Sequence, residues 1–390
     1  MARMLASVQN REEAELVFQS GADIIDLKNP ANGALGAVDP AKVLEVIDFV
    51  DGRCAVSAAC GDLPMDPEII RATAERFAAT GADYIKIGFF PSTNLSRCME
   101  ALRSLATHNK LIGVLFADYK DKYGSDLFDR LKANGFHGVM IDTADKSKGR
   151  LLAHMAPDQI GNFITEGQAR GLMVGVAGSL EAPDVPRLLA YSPDYLGFRG
   201  ALCSGRDRTA AIDLRAAIKI RGLIPAVQEN GPLARVDYKL LAARGYYPDP
   251  AQAGLGTDKI FVRAFVLPVQ IGAYSFEHGK SQNVSFDVTA DVLRVTRNPE
   301  DMRHVVSYDL IMDGIRAIVG RGHVELVETL AEQIASFILE NPRVTQVTVR
   351  AEKLELGAGG VGVEIERKNE IKASLVKPRG APVQIGHKSP

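Results

Sequence analysis

The strongest constraint on the fold is a pattern in the first 222 residues. Short apolar runs alternate there with segments of helical period, and the pair of patterns occurs eight times. Several of the helical segments end in Gly, the residue favoured just after a helix C-terminus. The apolar runs are nearly continuous, which is typical of parallel strands that are buried on both faces. Residues 1–222 therefore predict an α/β fold, a (β/α)8 TIM barrel.

A doubly wound open sheet is the alternative arrangement of such units. When that fold binds a dinucleotide, a Gly-rich GxGxxG turn normally follows its first strand. In this chain the first apolar run continues as "ASVQNREEAE", which has no glycine. The sequence therefore favours the closed barrel.

The sequence pattern changes after residue 222. Residues 223–258 mix Pro, Gly and a short helical stretch, and we interpret them as a connector. Residues 259–367 contain two strand patterns, two helix patterns and two further strand patterns, an order typical of an antiparallel sheet with helices on one face. We expect an α+β domain there. Residues 368–390 combine basic residues with Pro, Gly and little apolar content, and are predicted to be a flexible basic tail.

Composition argues against several classes of partner. The chain has 390 residues, of which 24% are charged, and a formal net charge of −2, so neither nucleic acid nor a membrane is expected as a partner. The N-terminal apolar stretch is too short for a signal peptide, and no window approaches the roughly 18 apolar residues of a spanning helix. We expect a cytoplasmic protein whose partners are small-molecule substrates and, as a homo-oligomer, copies of itself.

The cysteines give no sign of a metal centre or a disulfide framework. Cys54, Cys60, Cys98 and Cys203 form no CxxC pair and have no His at zinc-finger spacing. This spacing favours reduced, mostly buried thiols. We therefore expect chemistry without a metal or another cofactor.

Charged residues stand at the predicted C-terminal ends of three strands. Asp26 and Lys28 end the second apolar run, Lys86 lies in the fourth, and Asp142 and Lys146 follow the sixth. Because the C-terminal ends of barrel strands build the active site, we expect these side chains around one mouth. Asp26 and Lys28 are two positions apart, so they share a face and are predicted to be partners. The alternative for each residue is an ordinary charged strand end in water, and it is strongest for Lys146.

Three ammonium groups and two carboxylates in one cleft fit Schiff-base chemistry. An amine that attacks a carbonyl must be neutral, whereas the pKa of an unperturbed Lys is about 10.4. Burial and neighbouring cations lower that pKa, and Lys28 and Lys86 would act on one another in this way. Asp26 or Asp142 would accept and return the protons. On the residues alone, either lysine is the nucleophile.

Glycine-rich segments follow the seventh and eighth strands. Gly178, Ser179, Arg199 and Gly200 lie at or just beyond these strand ends. Barrels of this type often bind phosphate there, through backbone N–H groups at a helix start. The alternative is that the glycines only permit tight turns. The paired occurrence and the added Arg199 favour an enzyme that condenses or cleaves a phosphorylated carbonyl compound.

Six ordered blocks within residues 3–221 resemble the (5-formylfuran-3-yl)methyl phosphate synthase family. They are "GADIIDLKNPANGALGA", "SAACGDLP", "GADYIKIG", "IDTADKSKG", "VAGSL" and "GFRGALCSGRDR". The resemblance implies a lyase that condenses two molecules of glyceraldehyde 3-phosphate, with loss of phosphate and water. Its product would be 4-(hydroxymethyl)-2-furancarboxaldehyde phosphate, a precursor of methanofuran and methylofuran.

The resemblance also implies roles for individual residues. Lys28 would form the Schiff base, and Asp26, Lys86, Asp142 and Lys146 would assist in proton transfer and phosphate binding. The block "GRDR" only approximates the wording of the family, so its two arginines are left out of the predicted site. A different class I aldolase that acts on a sugar phosphate is the alternative.

Four residues within 259–367 resemble the site of dihydroneopterin aldolase. They are Glu277 in "IGAYSFEHG", Tyr308 in "VVSYDLI", Glu328 in "LVETLAEQ" and Lys353 in "VRAEKLEL". The resemblance implies a tunnelling fold (T-fold), in which sheets of several subunits form a ring and pterin binds between neighbours. Glu328 would anchor the pterin, although an exposed helix position is its alternative. The other three would handle protons while 7,8-dihydroneopterin is cleaved to 6-hydroxymethyl-dihydropterin and glycolaldehyde.

The chain departs from the aldolase pattern after Lys353. The family usually places Pro and a small residue there, whereas this chain has Leu354 and Glu355. Three readings stay open: an active aldolase, an aldolase-like domain for another pterin, and a domain kept only for oligomerisation. Activity is the favoured reading, and it makes the chain a bifunctional enzyme of one-carbon metabolism.

Overall fold

The structure is a computed structural model. It describes residues 2–225, 255–274, 277–296, 300–356 and 360–369. The chain divides into two compact units, Met1–Val236 and Asp237–Pro390, and each is described by itself. Most of the predicted connector, 223–258, and of the predicted tail, 368–390, lies outside the described residues.

The N-terminal unit contains a closed barrel of eight parallel strands in chain order, which confirms the predicted TIM barrel. The strands are β1 (Arg3–Val8), β2 (Ile24–Leu27), β3 (Ala55–Ala59), β4 (Tyr84–Gly88), β5 (Lys110–Phe116), β6 (Gly138–Asp142), β7 (Met173–Val176) and β8 (Tyr195–Phe198). The barrel closes where β1 pairs with β8, with Leu5 opposite Gly197. All eight predicted apolar runs are therefore strands.

Helices follow the strands as the periodicity predicts. They are α1 (Arg11–Gln19), α2 (Pro40–Val50), α3 (Pro67–Ala78), α4 (Leu95–Ala101), α5 (Arg103–Ala106), α6 (Leu127–Ala133), α7 (Leu151–His154), α8 (Pro157–Ala169), α9 (Asp184–Leu189) and α10 (Leu214–Leu223). Asp39 and Asp66 cap α2 and α3, and each is followed by Pro at the first helical position. One predicted helix is divided into α4 and α5, because the N–H of Leu102 turns to the carbonyl of Met99.

The interior of the barrel is a packed core and not a pore. Tyr84, Ile112, Met140 and Tyr195 lie in one apolar cluster. Gly175 in β7 faces the ring of Tyr195, and any side chain at that position would overlap the ring. A barrel of this size fills its axis with side chains, so space for a ligand is left only towards the strand ends.

The C-terminal unit is an antiparallel sheet in the order β12-β11-β10-β9, with two helices. Its elements are β9 (Thr257–Val269), β10 (Gln282–Leu293), α11 (Tyr308–Val319), α12 (Val327–Leu339), β11 (Val344–Lys353) and β12 (Val361–Lys368). The order strand, strand, helix, helix, strand, strand is the predicted one. Ile315 of α11 and Ile334 of α12 are buried in the same apolar cluster as Phe286 of β10, so both helices cover one face of the sheet.

The structure also describes the cysteines, which were predicted to be reduced and mostly buried, and the helices, which were predicted to be too short or too polar to span a membrane. The four cysteines are free, and three of them are buried. Burial raises the pKa of Cys54 to about 11 and that of Cys60 to about 12, so neither thiol is a ready nucleophile. Within the described ranges, no helix has the length and apolarity needed to cross a membrane.

Replacing Ile220 by Ala should destabilise the barrel much more than the same replacement of Ile218. Both residues lie in α10, but Ile220 is 3% exposed and Ile218 is 52% exposed. Truncating a buried Ile costs about 2–5 kcal/mol, whereas an exposed substitution costs about 0.5 kcal/mol or less. Urea unfolding followed by far-ultraviolet circular dichroism measures both losses. Equal losses of unfolding free energy for the two variants would contradict the packing of α10 through the face that carries Ile220.

Candidate active site

Five charged side chains meet at the C-terminal end of the barrel. Asp26 comes from β2, Lys86 from β4 and Asp142 from β6, while Lys28 and Lys146 lie in the loops just beyond β2 and β6. Ion pairs join Lys86 to Asp26, and both Lys28 and Lys146 to Asp142. The two sets act on one another through their charges, because Asp26 and Lys86 both shift the pKa of Lys28. Asp26, Lys86 and Asp142 are at most 1% exposed, and Lys28 is 6% exposed. The structure therefore brings together the five residues that the sequence placed at one mouth.

Asp26 is held from three sides below this mouth. Its carboxylate accepts hydrogen bonds from Lys86 Nζ at 2.7 Å, Ser7 Oγ at 2.9 Å and Ser57 Oγ at 2.5 Å. Burial raises the pKa of the carboxyl, but Lys86, Lys28 and the hydrogen bonds together hold it below its usual value. The expected pairing of Asp26 with Lys28 is wrong, because a shared face does not specify which neighbouring strand supplies the closest cation.

Asp142 is the carboxylate nearest to Lys28. Its Oδ2 lies 3.9 Å from Lys28 Nζ, and its Oδ1 accepts from Lys146 Nζ and from the N–H of Thr143. Burial raises its pKa, but Lys146 and Lys28 outweigh burial and lower the pKa to about 2. Asp142 is therefore a permanent anion that links both loop lysines.

The pKa of Lys28 is lowered to about 8. Burial is the largest cause, since the ammonium has little contact with water, and Lys86 and Lys146 lower the pKa further by repulsion. The carboxylates of Asp142 and Asp26 oppose these effects and keep the shift moderate. A useful fraction of Lys28 is therefore a neutral amine near physiological pH.

A cavity of about 230 Å³ opens above these groups. Lys28 from the end of β2, and Asp142 and Lys146 from the end of β6, line it, whereas Asp26 and Lys86 are not among its lining residues. Of the two lysines that the sequence left as candidate nucleophiles, Lys28 is the one that reaches the cavity.

The loop after β7 also borders the cavity, next to the end of β6, with which β7 pairs. Gly178 has φ +121° and Ser179 has φ +52°, and both line the cavity with Leu180. In the part of the chain that the structure describes, the N–H groups of these three residues donate no hydrogen bond. They are therefore free to bind an anion. After β8, Gly200 and Ala201 also line the cavity.

The side chain of Arg199 is occupied by the protein itself. Its guanidinium bonds both carboxylate oxygens of Glu13, at 2.5 and 3.1 Å. It also donates to the carbonyls of Ser7, Arg208 and Ala210 at 2.8–3.2 Å. The phosphate role expected for Arg199 would require these bonds to break.

Sequence reasoning missed three residues that the structure places at the site. Ser7 and Ser57 lie level with Asp26 across β1, β2 and β3, and only the strand register could have identified them. Arg208 lines the cavity. It belongs to the "GRDR" block, where the residue type was visible but the direction of the side chain was not.

Two further carboxylates hold the loops that carry the lysines. Asp118 accepts hydrogen bonds from the N–H groups of Ala144 and Asp145, both at 2.8 Å, just before Lys146. Asp62 does the same for two N–H groups in the loop after β2, at 2.7 and 2.9 Å. The loops are fixed in place by charge-assisted bonds.

In the C-terminal unit the structure joins two of the four predicted residues. Lys353 Nζ lies 3.3 Å from Glu277 Oε1, and the N–H of Tyr274 donates to the same carboxylate at 3.0 Å. The bond from Tyr274, followed by Lys353, lowers the pKa of Glu277 against the effect of burial. Tyr308 is 58% exposed and Glu328 is exposed, and no contact joins either to this pair in the described ranges.

Two protein families match the chain, one over each of the two units. A sequence model of 4-HFC-P synthase matches residues 4–221, and one of dihydroneopterin aldolase (FolB) matches residues 260–366. The C-terminal unit is therefore a FolB-like domain of the T-fold type.

Individual proteins are similar to parts of the chain. The putative (5-formylfuran-3-yl)methyl phosphate synthase of Methylorubrum extorquens is 43% identical over 211 residues, which cover 54% of this chain and 86% of that protein. The (5-formylfuran-3-yl)methyl phosphate synthase of Methanopyrus kandleri is 32% identical over 216 residues, 53% of this chain and 91% of that protein. A crystal structure of dihydroneopterin aldolase from Burkholderia thailendensis, bound to guanine, is 32% identical over 30% of this chain and 96% of that chain, with a TM-score of 0.27.

The eight-stranded barrel, the lysine and aspartate cluster at its mouth and the match over residues 4–221 lead to one conclusion. The chain belongs to the 4-HFC-P synthase family and carries a FolB-like domain after its barrel.

Proposed function

We propose that the barrel condenses two molecules of glyceraldehyde 3-phosphate into 4-(hydroxymethyl)-2-furancarboxaldehyde phosphate, through a Schiff base on Lys28. The observation that carries the proposal is the position of Lys28. It is the lysine with a lowered pKa that also lines the cavity. The family supports a synthase of this kind.

The first covalent step follows from the groups around Lys28. Its neutral amine attacks the aldehyde carbon, and the proton that the nitrogen loses passes to the carbonyl oxygen, which becomes the hydroxyl of a carbinolamine. That hydroxyl takes up one proton and leaves as water, which gives the protonated imine. Lys146 lines the cavity and its ammonium is held by Asp142, so it is placed to protonate the departing hydroxyl.

The buried pair of Asp26 and Lys86 has a different task. The pair lies outside the lining of the cavity and is at most 1% exposed. Lys86 acts on Lys28 through its charge, by lowering the pKa of the amine. The pair therefore adjusts the protonation of Lys28, since Lys86 lowers its pKa and Asp26 raises it, while Asp142 and Lys146 face the substrate.

Replacing Lys28 by Ala should abolish the adduct that borohydride traps with glyceraldehyde 3-phosphate, because burial lowers the pKa of Lys28 and its amine lines the cavity. Peptide mass mapping locates the adduct. Lys148→Ala is the matched control, since Lys148 is exposed and paired with Asp145 outside the cavity lining. An adduct on Lys86 would contradict the assignment.

The product separates the proposed synthase from a class I aldolase that acts on another sugar phosphate. A conjugated furaldehyde absorbs in the near ultraviolet, whereas an aliphatic aldol does not. Incubation of the full chain with glyceraldehyde 3-phosphate should therefore give a growing near-ultraviolet absorbance together with free phosphate. An adduct without either signal would support the other aldolase.

The rate of adduct formation should rise with pH and reach half its maximum near pH 8, because only the deprotonated amine attacks. Lys86→Met removes a cation that lowers the pKa of Lys28, so the midpoint should move up. Asp142→Asn removes the anion that raises this pKa most, so the midpoint should move down. Midpoints that do not move in opposite directions would contradict this electrostatic account.

We infer for the FolB-like domain a retro-aldol cleavage of 7,8-dihydroneopterin. The ion pair of Lys353 with Glu277 supports it, because the pair offers a proton donor and an acceptor 3.3 Å apart on a buried carboxylate. Tyr308 and Glu328 lie exposed on the single chain. This suits a site that is completed by a neighbouring copy.

Incubation of the full chain with 7,8-dihydroneopterin should release glycolaldehyde, and Lys353→Ala should reduce the rate by about 100-fold or more, as loss of a general acid–base group does. Lys259→Ala is the control, since Lys259 is exposed and paired with Asp291. A stable oligomer that releases no glycolaldehyde would favour a domain kept for assembly.

A further inference from the structure

The cations that line the cavity differ in how they are paired. Lys28 and Lys146 both pair with Asp142, and Arg199 pairs with Glu13. Glu181, an anion of the lining, pairs with Arg150 at 3.3 Å. The lining contains one further cation, which is not a member of any of these pairs.

That cation is Arg208, which forms no ion pair in the part of the chain that the structure describes. Its side chain is half-buried, and its Nη2 donates to the carbonyl of Gly33 at 3.1 Å. Within the same described part, its Nε and Nη1 make no hydrogen bond. Arg208 thus reaches from the loop after β8 to the loop after β2 and keeps most of its donors for a ligand.

The backbone of Arg208 is held by Arg199. Arg199 Nε donates to the carbonyl of Arg208 at 2.8 Å, and its Nη2 donates to that of Ala210 at 3.0 Å. The carboxylate of Glu13 in α1 fixes Arg199 in turn. One arginine is therefore buried and rigid so that the other is presented at the cavity.

We propose that Arg208 is the side chain that binds a phosphoryl group of the substrate, and that Arg199 is its positioning residue. This rests on the proposed function and deepens it by naming the side chains that would favour a phosphorylated aldehyde over a neutral one. The free N–H groups of Gly178, Ser179 and Leu180 border the same cavity. A guanidinium with a free edge matches two phosphate oxygens at once, which a lysine does not.

Two aldehydes that differ only in the phosphate group test the proposal. Borohydride trapping on Lys28 is measured against the concentration of glyceraldehyde 3-phosphate and of glyceraldehyde, for the full-length wild type and for Arg208→Gln. We expect the half-saturating concentration of the phosphorylated aldehyde to rise about tenfold or more, and that of glyceraldehyde to change less than about twofold.

Arg215→Gln is the matched control, because Arg215 is an exposed arginine of α10 that does not line the cavity. It should leave both concentrations unchanged. Arg208→Lys should recover only part of the loss, since an ammonium keeps the charge without the paired donors. An equal rise for both aldehydes in Arg208→Gln, or no rise for either, would overturn the proposal.

Calorimetry with inorganic phosphate makes the test independent of the Schiff base. We expect the wild type and Arg215→Gln to bind phosphate with equal Kd, and Arg208→Gln to bind about tenfold more weakly. If the wild type forms no adduct with either aldehyde, the Schiff-base proposal fails, and calorimetry still decides the role of Arg208. Equal binding by Arg208→Gln, or none by the wild type, overturns that role.

Arg199→Lys tests the positioning role. Lysine keeps the charge beside Glu13 but lacks the fork that donates to the carbonyls of Arg208 and Ala210. We expect the preference for the phosphorylated aldehyde over glyceraldehyde to fall several-fold although Arg208 is present. A lower Tm with an unchanged preference would show that Arg199 serves stability alone.

Discussion

The ion pair of Asp26 with Lys86 is the interaction on which the site depends. Both charges lie inside the barrel, where an isolated ion would be costly, and the pair persists because Ser7 and Ser57 satisfy the remaining carboxylate positions. The layer beneath it is filled by Tyr84 and the core around it. The pair therefore forms a charged floor beneath the cavity.

The cluster contains three lysines but only two carboxylates, so its positive and negative charges do not cancel. Asp26 balances Lys86, and Asp142 lies between Lys28 and Lys146 but is closer to Lys146. One ammonium is in excess, and the pKa of the buried Lys28, which is farthest from its carboxylate, is lowered to about 8. In the proposed mechanism this arrangement distinguishes Lys28 as the nucleophile, because Lys86 and Lys146 each lie closer to a carboxylate.

The sequence predicted the elements and the mouth of the barrel because both follow from periodicity. Strand and helix periods fixed the eight units, and the C-terminal strand ends located Asp26, Lys28 and Asp142. The ion pairs between the site residues were not predictable in this way, because they depend on the register between strands that are distant in sequence. The partner of Asp26 was misassigned for this reason. The side chain of Arg199 was expected to bind phosphate, and in the structure its guanidinium donates hydrogen bonds to Glu13. The residue type alone does not distinguish a free guanidinium from a buried one.

The bond of Arg199 to Glu13 has a consequence for how the barrel is assembled. Glu13 belongs to the first helix of the chain and Arg199 to the end of the last barrel strand. Until the last strand arrives, Glu13 has no cation where it will be buried, and burial of a lone carboxylate is strongly unfavourable. The pair of Glu13 with Arg199 therefore forms only once the last strand lies beside the first helix. Because Arg199 also lines the cavity, the cavity is complete only when the first and last units of the barrel are in contact.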